Sequence, residues 1–485
     1  MRPMPLKVAN NGAPSSGAPE ACPHVSAGPV FAALAALFTL IALSRYAAWH
    51  TCTLDMAYYV RLVWGLGQGD PTQPVIDAPH WLGLHFEPVL LPLAALSRLG
   101  VPAAPLLLVV QALAGAAALF PAVALARRHV PEHALSVALC VFLVPAFGRN
   151  LDFDFHPNTM AVWPLLAFVE RLDAGRPGRA CAWLLLAATC REDVALQGAL
   201  AALLAPGLPR GWRVGFTLGG LLGFAAWAGL VQPAFLHGHV RSSFAQHFGM
   251  LGLPAGGGVP GLIRIMLNDP FAVAGHLLTP DRLLYPLLLL ASVGFLPLRA
   301  PRWLGGALPV VGVNLLSGFD GVRNLQSHYL TSAVPFLFAA AVIGAGQPGR
   351  GLGARLDHRL RPFRRILPAT ATSLLLTLDP TPWARVRQWF PDDDTVAVQA
   401  AAARIPPDAA LVAPSELLAH LAERPRVHHR WFVPEPTPGD LWRIVEAPCP
   451  NASPGAAASG CFGVVPPATG PQAEATDAAN PGPGP

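Results

Sequence analysis

The sequence predicts an all-α polytopic membrane protein of about eleven transmembrane helices, followed by a small C-terminal α/β domain. Three observations predict it. Of 485 residues, 53% are hydrophobic and 13% charged, where a soluble domain carries about 25% charged residues. Mean hydropathy is +0.44. Continuous apolar runs such as 27–48, 104–126 and 212–231 approach or exceed the roughly 20 residues that a helix needs to cross a bilayer. They do not alternate, so they read as helices, which satisfy their own backbone inside lipid.

The elements follow in order, with charge as the compass. Residues 1–27 are polar and rich in Pro, Gly and Ser, and read as a disordered cytoplasmic leader before an uncleaved first span. Residues 28–378 form the multi-span part, with large outer loops at 49–103 and 233–282. Within the first loop, 89–99 is apolar yet too short to cross, and reads as interfacial. Spans are expected at 104–126, 133–149 and 158–172. The next apolar stretch, 180–204, carries Arg191, Glu192 and Asp193 in its middle. A single helix would bury three charges at mid-membrane, at roughly 2.5–3.5 kcal/mol each. A hairpin of two short helices places them at its tip instead. Only the hairpin keeps Arg127, Arg128, Arg171, Arg176, Arg179, Arg210, Arg213, Arg299, Arg302 and the stretch from Arg350 to Arg365 on one, cytoplasmic side. Further spans are expected at 212–232, 283–298, 304–317, 330–346 and 366–378.

The tail, 379–465, then lies outside as a small α/β domain, with a helix over 395–404, a strand at 410–412 and a helix over 415–422 that Ser415 could cap. Residues 466–485 are rich in Pro, Ala and Gly and read as disordered. No internal repeat is visible.

Composition also excludes some functions. The net charge of +5 sits in short loops between apolar runs, which is a topology signal and not a nucleic-acid surface. The seven cysteines include no CxxC pair; Cys140, Cys181 and Cys190 read as core residues, while Cys449 and Cys461 could pair in an oxidising compartment. No P-loop, GxSxG or HExxH occurs, which argues against an ATP-driven pump, a serine hydrolase and a zincin.

With this topology every dense polar cluster falls on the outer side. Asp55 follows the first span. His85 and Glu87 stand in HFEP. Asp152, Asp154 and His156 stand in DFDFHP. Arg191, Glu192 and Asp193 mark the hairpin tip, and Arg323, His328 and Tyr329 close the set. Each has a structural reading: Asp152 and Asp154 suit a helix start at Pro157, Arg191 and Asp193 can neutralise each other, and His328 and Tyr329 suit interfacial anchors. Their co-location is what points to a site. Such a site suits a substrate with a lipid tail and a polar head. Carboxylates with raised pKa can act there as a general base on a hydroxyl, and carboxylates with histidine, from Glu87, Asp154 and His156, can bind a divalent cation, Mg or Mn. Arginines such as Arg191 and Arg323 can hold phosphate in a bidentate way.

At these residues the chain resembles a family of predicted prokaryotic membrane proteins known as the domain of unknown function two-zero-seven-nine. The Asp55 stretch, HFEP from His85, DFDFHP from Asp152, RED from Arg191, HLLTPDRLLY from His276 and SHYL from Ser327 carry the resemblance, over about residues 40–350. That family is similar in layout to GT-C glycosyltransferases, which use polyprenyl-phosphate sugars as donors. The resemblance implies Asp55 as the base, with Met56 where many GT-C enzymes place a second Asp, and Arg191 near the donor phosphate. It implies sugar transfer in a bacterial inner membrane, with a lipid-linked donor as partner. The alternatives are a transporter or flippase of a lipid-linked or polar solute, and a non-catalytic scaffold or receptor.

Overall fold

The computed structural model describes residues 26–51, 53–236, 247–254, 257–347, 386–433, 440–446 and 462–467. The leader up to residue 25, the expected span at 366–378, the basic stretch from Arg350, and Cys449 and Cys461 lie outside the described residues. Among the described residues, the molecule is helical apart from a small C-terminal sheet.

Helix α1 (Ala27–Ala47) leads to α2 (Leu54–Gly67), whose first turn is capped by the Thr53 hydroxyl accepting the Met56 N–H at 3.2 Å. Then come α3 (Leu90–Arg98), α4 (Ala103–Ala117), α5 (Leu119–His129), α6 (Ala134–Leu139), α7 (Pro145–Leu151) and α8 (Pro157–Asp173). They are followed by α9 (Pro177–Ala188), α10 (Asp193–Leu204) and α11 (Arg210–Ala226). Helices α4 and α5 run on as one apolar rod, buried over most of its length, and the segment His328–Gly346 is buried likewise. These two form the heart of the molecule. By contrast, α1 and the rod Arg210–Leu236 are largely uncovered, and Leu37, Leu40, Leu222 and Leu230 stand exposed on them. An apolar face left open this way suits hydrocarbon rather than water.

Among the described residues, four helices are long and apolar enough to cross a membrane, or five if one bent pair counts as a span. The expectation of about eleven is therefore not reached on helix length and apolarity. The reason lies in the backbone. The expected span 133–149 is broken by 74° between Leu143 and Pro145, because proline drives Val144 into an extended conformation (φ −66°, ψ 121°). The expected span 283–298 stops at Ala291, and Phe295 turns left-handed at φ 54°. Over 304–317 only Leu308–Leu316 is α-helical, after a 3₁₀ stretch from Pro301 to Ala307. Helix α8 has 17 residues and carries Glu170, Arg171 and Asp173 at its end. The charged tripeptide sits where two short helices were expected to part: α9 and α10 are separate, with Arg191 and Glu192 between them.

Close packing is set by small residues. A Cβ on Gly220 of α11 would lie 2.3 Å from the Ala195 carbonyl oxygen of α10, so only glycine lets these backbones approach.

The tail folds into a four-stranded sheet. Strands β1 (Leu411–Ala413) and β2 (Val427–His429) are parallel, β3 (Trp442–Glu446) pairs parallel with β1, and β4 (Phe462–Val465) runs antiparallel to β3. The order is β2-β1-β3-β4. Helix Ser415–Leu421 follows β1, but Ser415 does not cap it: Pro414 holds the cap position, and the Ser415 hydroxyl instead meets His429 Nε2 at 3.0 Å. The apolar side of this domain, built on Leu411, Leu417, Leu418, Val427 and Ile444, closes over Ala57 of α2 and Val75. Its Glu423 accepts the Ala103 N–H at 2.7 Å, placing a carboxylate at the start of α4. The tail is thus packed onto the segment that carries Asp55.

Candidate functional site

The site begins with residues that sequence reading passed over. Gln111 is an isolated amide on the buried side of α4, 1% exposed. Its oxygen accepts the His156 N–H at 2.7 Å, and its nitrogen donates to the Asn150 carbonyl at 3.1 Å. The irregular stretch 152–156 is thereby satisfied in a place that water does not reach. Arg45, at the end of α1, is buried as well. It donates to the carbonyls of Asp152 at 2.5 Å and His50 at 2.8 Å, and pairs with Asp154 at 3.4 Å. Asp154, fully buried, also accepts the Thr53 N–H at 2.9 Å. Asp152 turns to Arg149 at 2.6 Å. The two carboxylates of DFDFHP therefore hold the frame.

What they present is His156. Its Nδ1–H donates to the Asp154 carbonyl at 3.0 Å, and its Nε2 stands 3.1 Å from Asp55 Oδ2. The His328 ring stacks on it, with centroids 4.0 Å apart and planes 17° from parallel. His328 Nε2 lies 4.0 Å from the same Asp55 oxygen. The Asp55 side chain is half exposed, at 49%. Burial works to raise its pKa, but the His156 hydrogen bond and the charges of His156, His328 and Arg191 override it and hold the carboxyl well below its usual range.

One helical turn beyond Asp55, Tyr59 stands on the same side of α2. Its hydroxyl donates to Glu87 at 2.9 Å. Glu87 is fully buried, and its second oxygen has no hydrogen-bond partner. Burial pushes its pKa up to about 8, so at neutral pH it is a carboxylic acid. Between α9 and α10, Glu192 accepts from His85 Nδ1 at 2.9 Å and from the Phe86 N–H at 3.0 Å. Burial would raise Glu192, yet His85, Arg191 and the Phe86 N–H outweigh it and hold the group down to about 2. The Arg191 guanidinium donates to His85 Nε2 at 3.5 Å and stands 3.7 Å from Asp193. Asp193 in turn accepts from Gln197 at 2.9 Å. The charge of Arg191 also acts on Asp55, Glu87 and Tyr59. The loops after α1, before α3, before α8 and before α10 thus meet at one end of the bundle.

Tyr329 borders the group, its ring 4.1 Å from that of His328. Arg323 does not join it. It pairs with Asp281 at 3.2 Å and with Asp320, and donates to the Ser317 carbonyl at 2.8 Å. Beside His328 opens a recess of about 210 Å³ lined by Arg149, Asn150, Phe153, Asn324 and Gln326. Of the ligand set expected from sequence, Glu87 is taken up by Tyr59, and Asp154 by Arg45 and Thr53. The residues that lie with His156 are Asp55 and His328. Their ligand atoms all fall within 4.8 Å of one another.

Arg45, Tyr59 and Gln111 each left a trace in the sequence: a cation at the end of the first apolar run, an aromatic hydroxyl four residues after Asp55, and a lone amide inside an apolar run. No curated protein and no solved structure matches the chain. The model of one family, described as predicted membrane protein (DUF2079), matches residues 45–433, a range that holds every residue of the site. The chain is a membrane protein and belongs to that family of predicted membrane proteins.

Proposed function

We propose that this protein is a GT-C-like glycosyltransferase that moves a sugar from a polyprenyl-phosphate donor to a hydroxyl acceptor at the non-cytoplasmic face of a bacterial inner membrane. The observation that carries the reading is Asp55: an ionised, half-exposed carboxylate, positioned by His156 and within the field of Arg191. An acceptor hydroxyl oxygen attacks the anomeric carbon of the donor. The bond from that carbon to the phosphate oxygen breaks, and its electron pair leaves with the polyprenyl phosphate. The hydroxyl proton passes to Asp55, and Arg191 stabilises the phosphate. The recess at His328, with its amides, its guanidinium and Phe153, offers the hydrogen-bonding groups that a sugar head needs.

The orientation has its own support. Helix α8 starts at the site and ends at a basic cluster in which Arg128 and His129 meet Asp173 at 2.8 and 2.9 Å. Its 17 residues span about 25 Å, close to a hydrocarbon core of about 30 Å. The arginine-rich end then faces the cytoplasm and the site the opposite side, with the N-terminus inside and the tail outside.

The test is transfer from radiolabelled polyprenyl-phosphate sugars to membrane lipid and glycan acceptors. Asp55→Asn is expected to lower transfer by about 10²–10⁴-fold, the range of a lost general base, with an unchanged elution profile and circular dichroism. Full activity in that variant contradicts the assignment.

A further inference from the structure

We propose that Asp55, His156 and His328 form a binding site for one first-row divalent transition-metal ion, of the zinc or manganese class. His156 is held in one tautomer. Its Nδ1 faces the Asp154 carbonyl at 3.0 Å, and a carbonyl only accepts, so Nδ1 carries the proton. In the neutral ring Nε2 is then a lone pair, and it points at a carboxylate oxygen 3.1 Å away. Two acceptors at that distance need a proton or a cation between them. His328 Nε2 meets the same oxygen at 4.0 Å, face to face with His156. A proton satisfies one imidazole and charges it beside its stacked neighbour. A metal ion satisfies both nitrogens and the carboxylate together.

The geometry is near what an ion needs. Bonds of about 2.1 Å in a tetrahedral site put ligand atoms about 3.4 Å apart. The 3.1 Å contact is already there, the 4.0 Å contact closes with a shift of about half an ångström, and the two rings, stacked 17° from parallel, open on binding so that both in-plane lone pairs aim at the ion. The support around His156 is that of a ligand: its other nitrogen is tied to a carbonyl, Gln111 holds its backbone N–H, and the Asp154 carboxylate beneath is locked by Arg45 and Thr53. Two imidazoles and one carboxylate suit zinc, manganese or iron, whereas magnesium and calcium prefer oxygen throughout. Exposed Asp55 and the recess beside His328 leave positions for water or substrate, as catalytic sites do. Both imidazoles meet Oδ2 of Asp55, so Oδ1 stays available for a proton. Resting on the transfer reading, such an ion would steady the departing phosphate; the binding itself does not rest on that reading.

The test is a titration of chelator-stripped protein in nanodiscs with Co²⁺, followed by visible absorption, with Zn²⁺ as competitor. Expected is one ion per chain with a cobalt band displaced by zinc. His156→Ala and His328→Ala should weaken binding at least 100-fold and lose the band. His129→Ala, at the opposite end of the bundle, should bind as wild type does. Absence of binding in folded wild type, or equal binding in His328→Ala, overturns the site in favour of an imidazolium–carboxylate pair. Should the variants fail to fold, pulsed EPR of Mn²⁺ on wild type decides: coupling to imidazole nitrogen supports the site, and coordination by water and oxygen alone overturns it. None of these readouts needs a sugar donor, so failure of the transfer reading leaves them intact.

Discussion

At the scale of single residues, the partners each one meets sort similarly buried carboxylates into different jobs. Asp154 meets the Arg45 guanidinium and the Thr53 N–H, and Glu192 meets the His85 imidazole and the Phe86 N–H within the field of Arg191. Both hold loops in place, and Glu192 is kept ionised. Glu87 meets a tyrosine hydroxyl and little else, and burial pushes it up to about 8. This has a consequence for stability. Below the ordinary carboxylate value of 4.5, folded and unfolded chains both hold the Glu87 proton. Between 4.5 and about 8 only the folded chain holds it, so stability falls as pH rises through that window. The loss is on the order of a few kcal/mol. Glu87→Gln keeps an acceptor for Tyr59 and cannot ionise. Thermal melting in detergent is expected to show a smaller drop between pH 5 and pH 8 in that variant than in wild type; equal drops would contradict a neutral Glu87. The sequence named Glu87 and Asp154 as polar groups in an apolar setting, but it could not say what each would meet. That depends on Arg45 and Tyr59, which reach them from elsewhere in the chain.

At the scale of elements, short helices build the site end of the bundle. The break between α9 and α10 was legible, because three consecutive charges cannot sit at mid-membrane without large cost. The interruption at Val144–Pro145 was not, because an apolar window reports hydrophobicity and not whether the backbone hydrogen-bond ladder runs on. The same holds for Phe295, whose left-handed turn ends a run that composition alone would continue. Strand β1 was foreseen within a residue, since a short run of apolar residues in a polar tail has few alternatives; the cap at Ser415 was misread because Ser415 is already the first helical residue, with Pro414 at the cap position. The α10–α11 contact is equally specific. Gly220→Val would drive a side chain into the Ala195 carbonyl, and melting in detergent is expected to fall by several degrees. Gly215, which has open space around it, serves as the control, and Gly215→Ala should melt as wild type does. Unchanged melting of Gly220→Val would mean that these helices do not pack as described.

At the scale of the whole molecule, a membrane part and a tail domain share one boundary, and the site lies at it. Ala57 and Val75 belong to the core of the tail domain, two residues and one loop away from Asp55. Positive charge gathers at the other end, about 25 Å along α8. The co-location of polar loops was readable in the sequence once a topology was chosen; their pairing was not, since contacts such as His156 with Asp55 join residues 101 apart. The central claim is that this end of the bundle receives a polyprenyl-phosphate sugar, with Arg191 on the phosphate and Asp55 as a separate base. The most direct measurement is binding of fluorescent polyprenyl-phosphate sugars to the protein in nanodiscs, for wild type, Arg191→Ala and Asp55→Asn. The account predicts saturable binding that weakens about tenfold or more in Arg191→Ala, the loss of one charge-assisted contact of about 1.5–3 kcal/mol, and survives in Asp55→Asn. Absence of binding across the donor panel, or equal binding in Arg191→Ala, would contradict it.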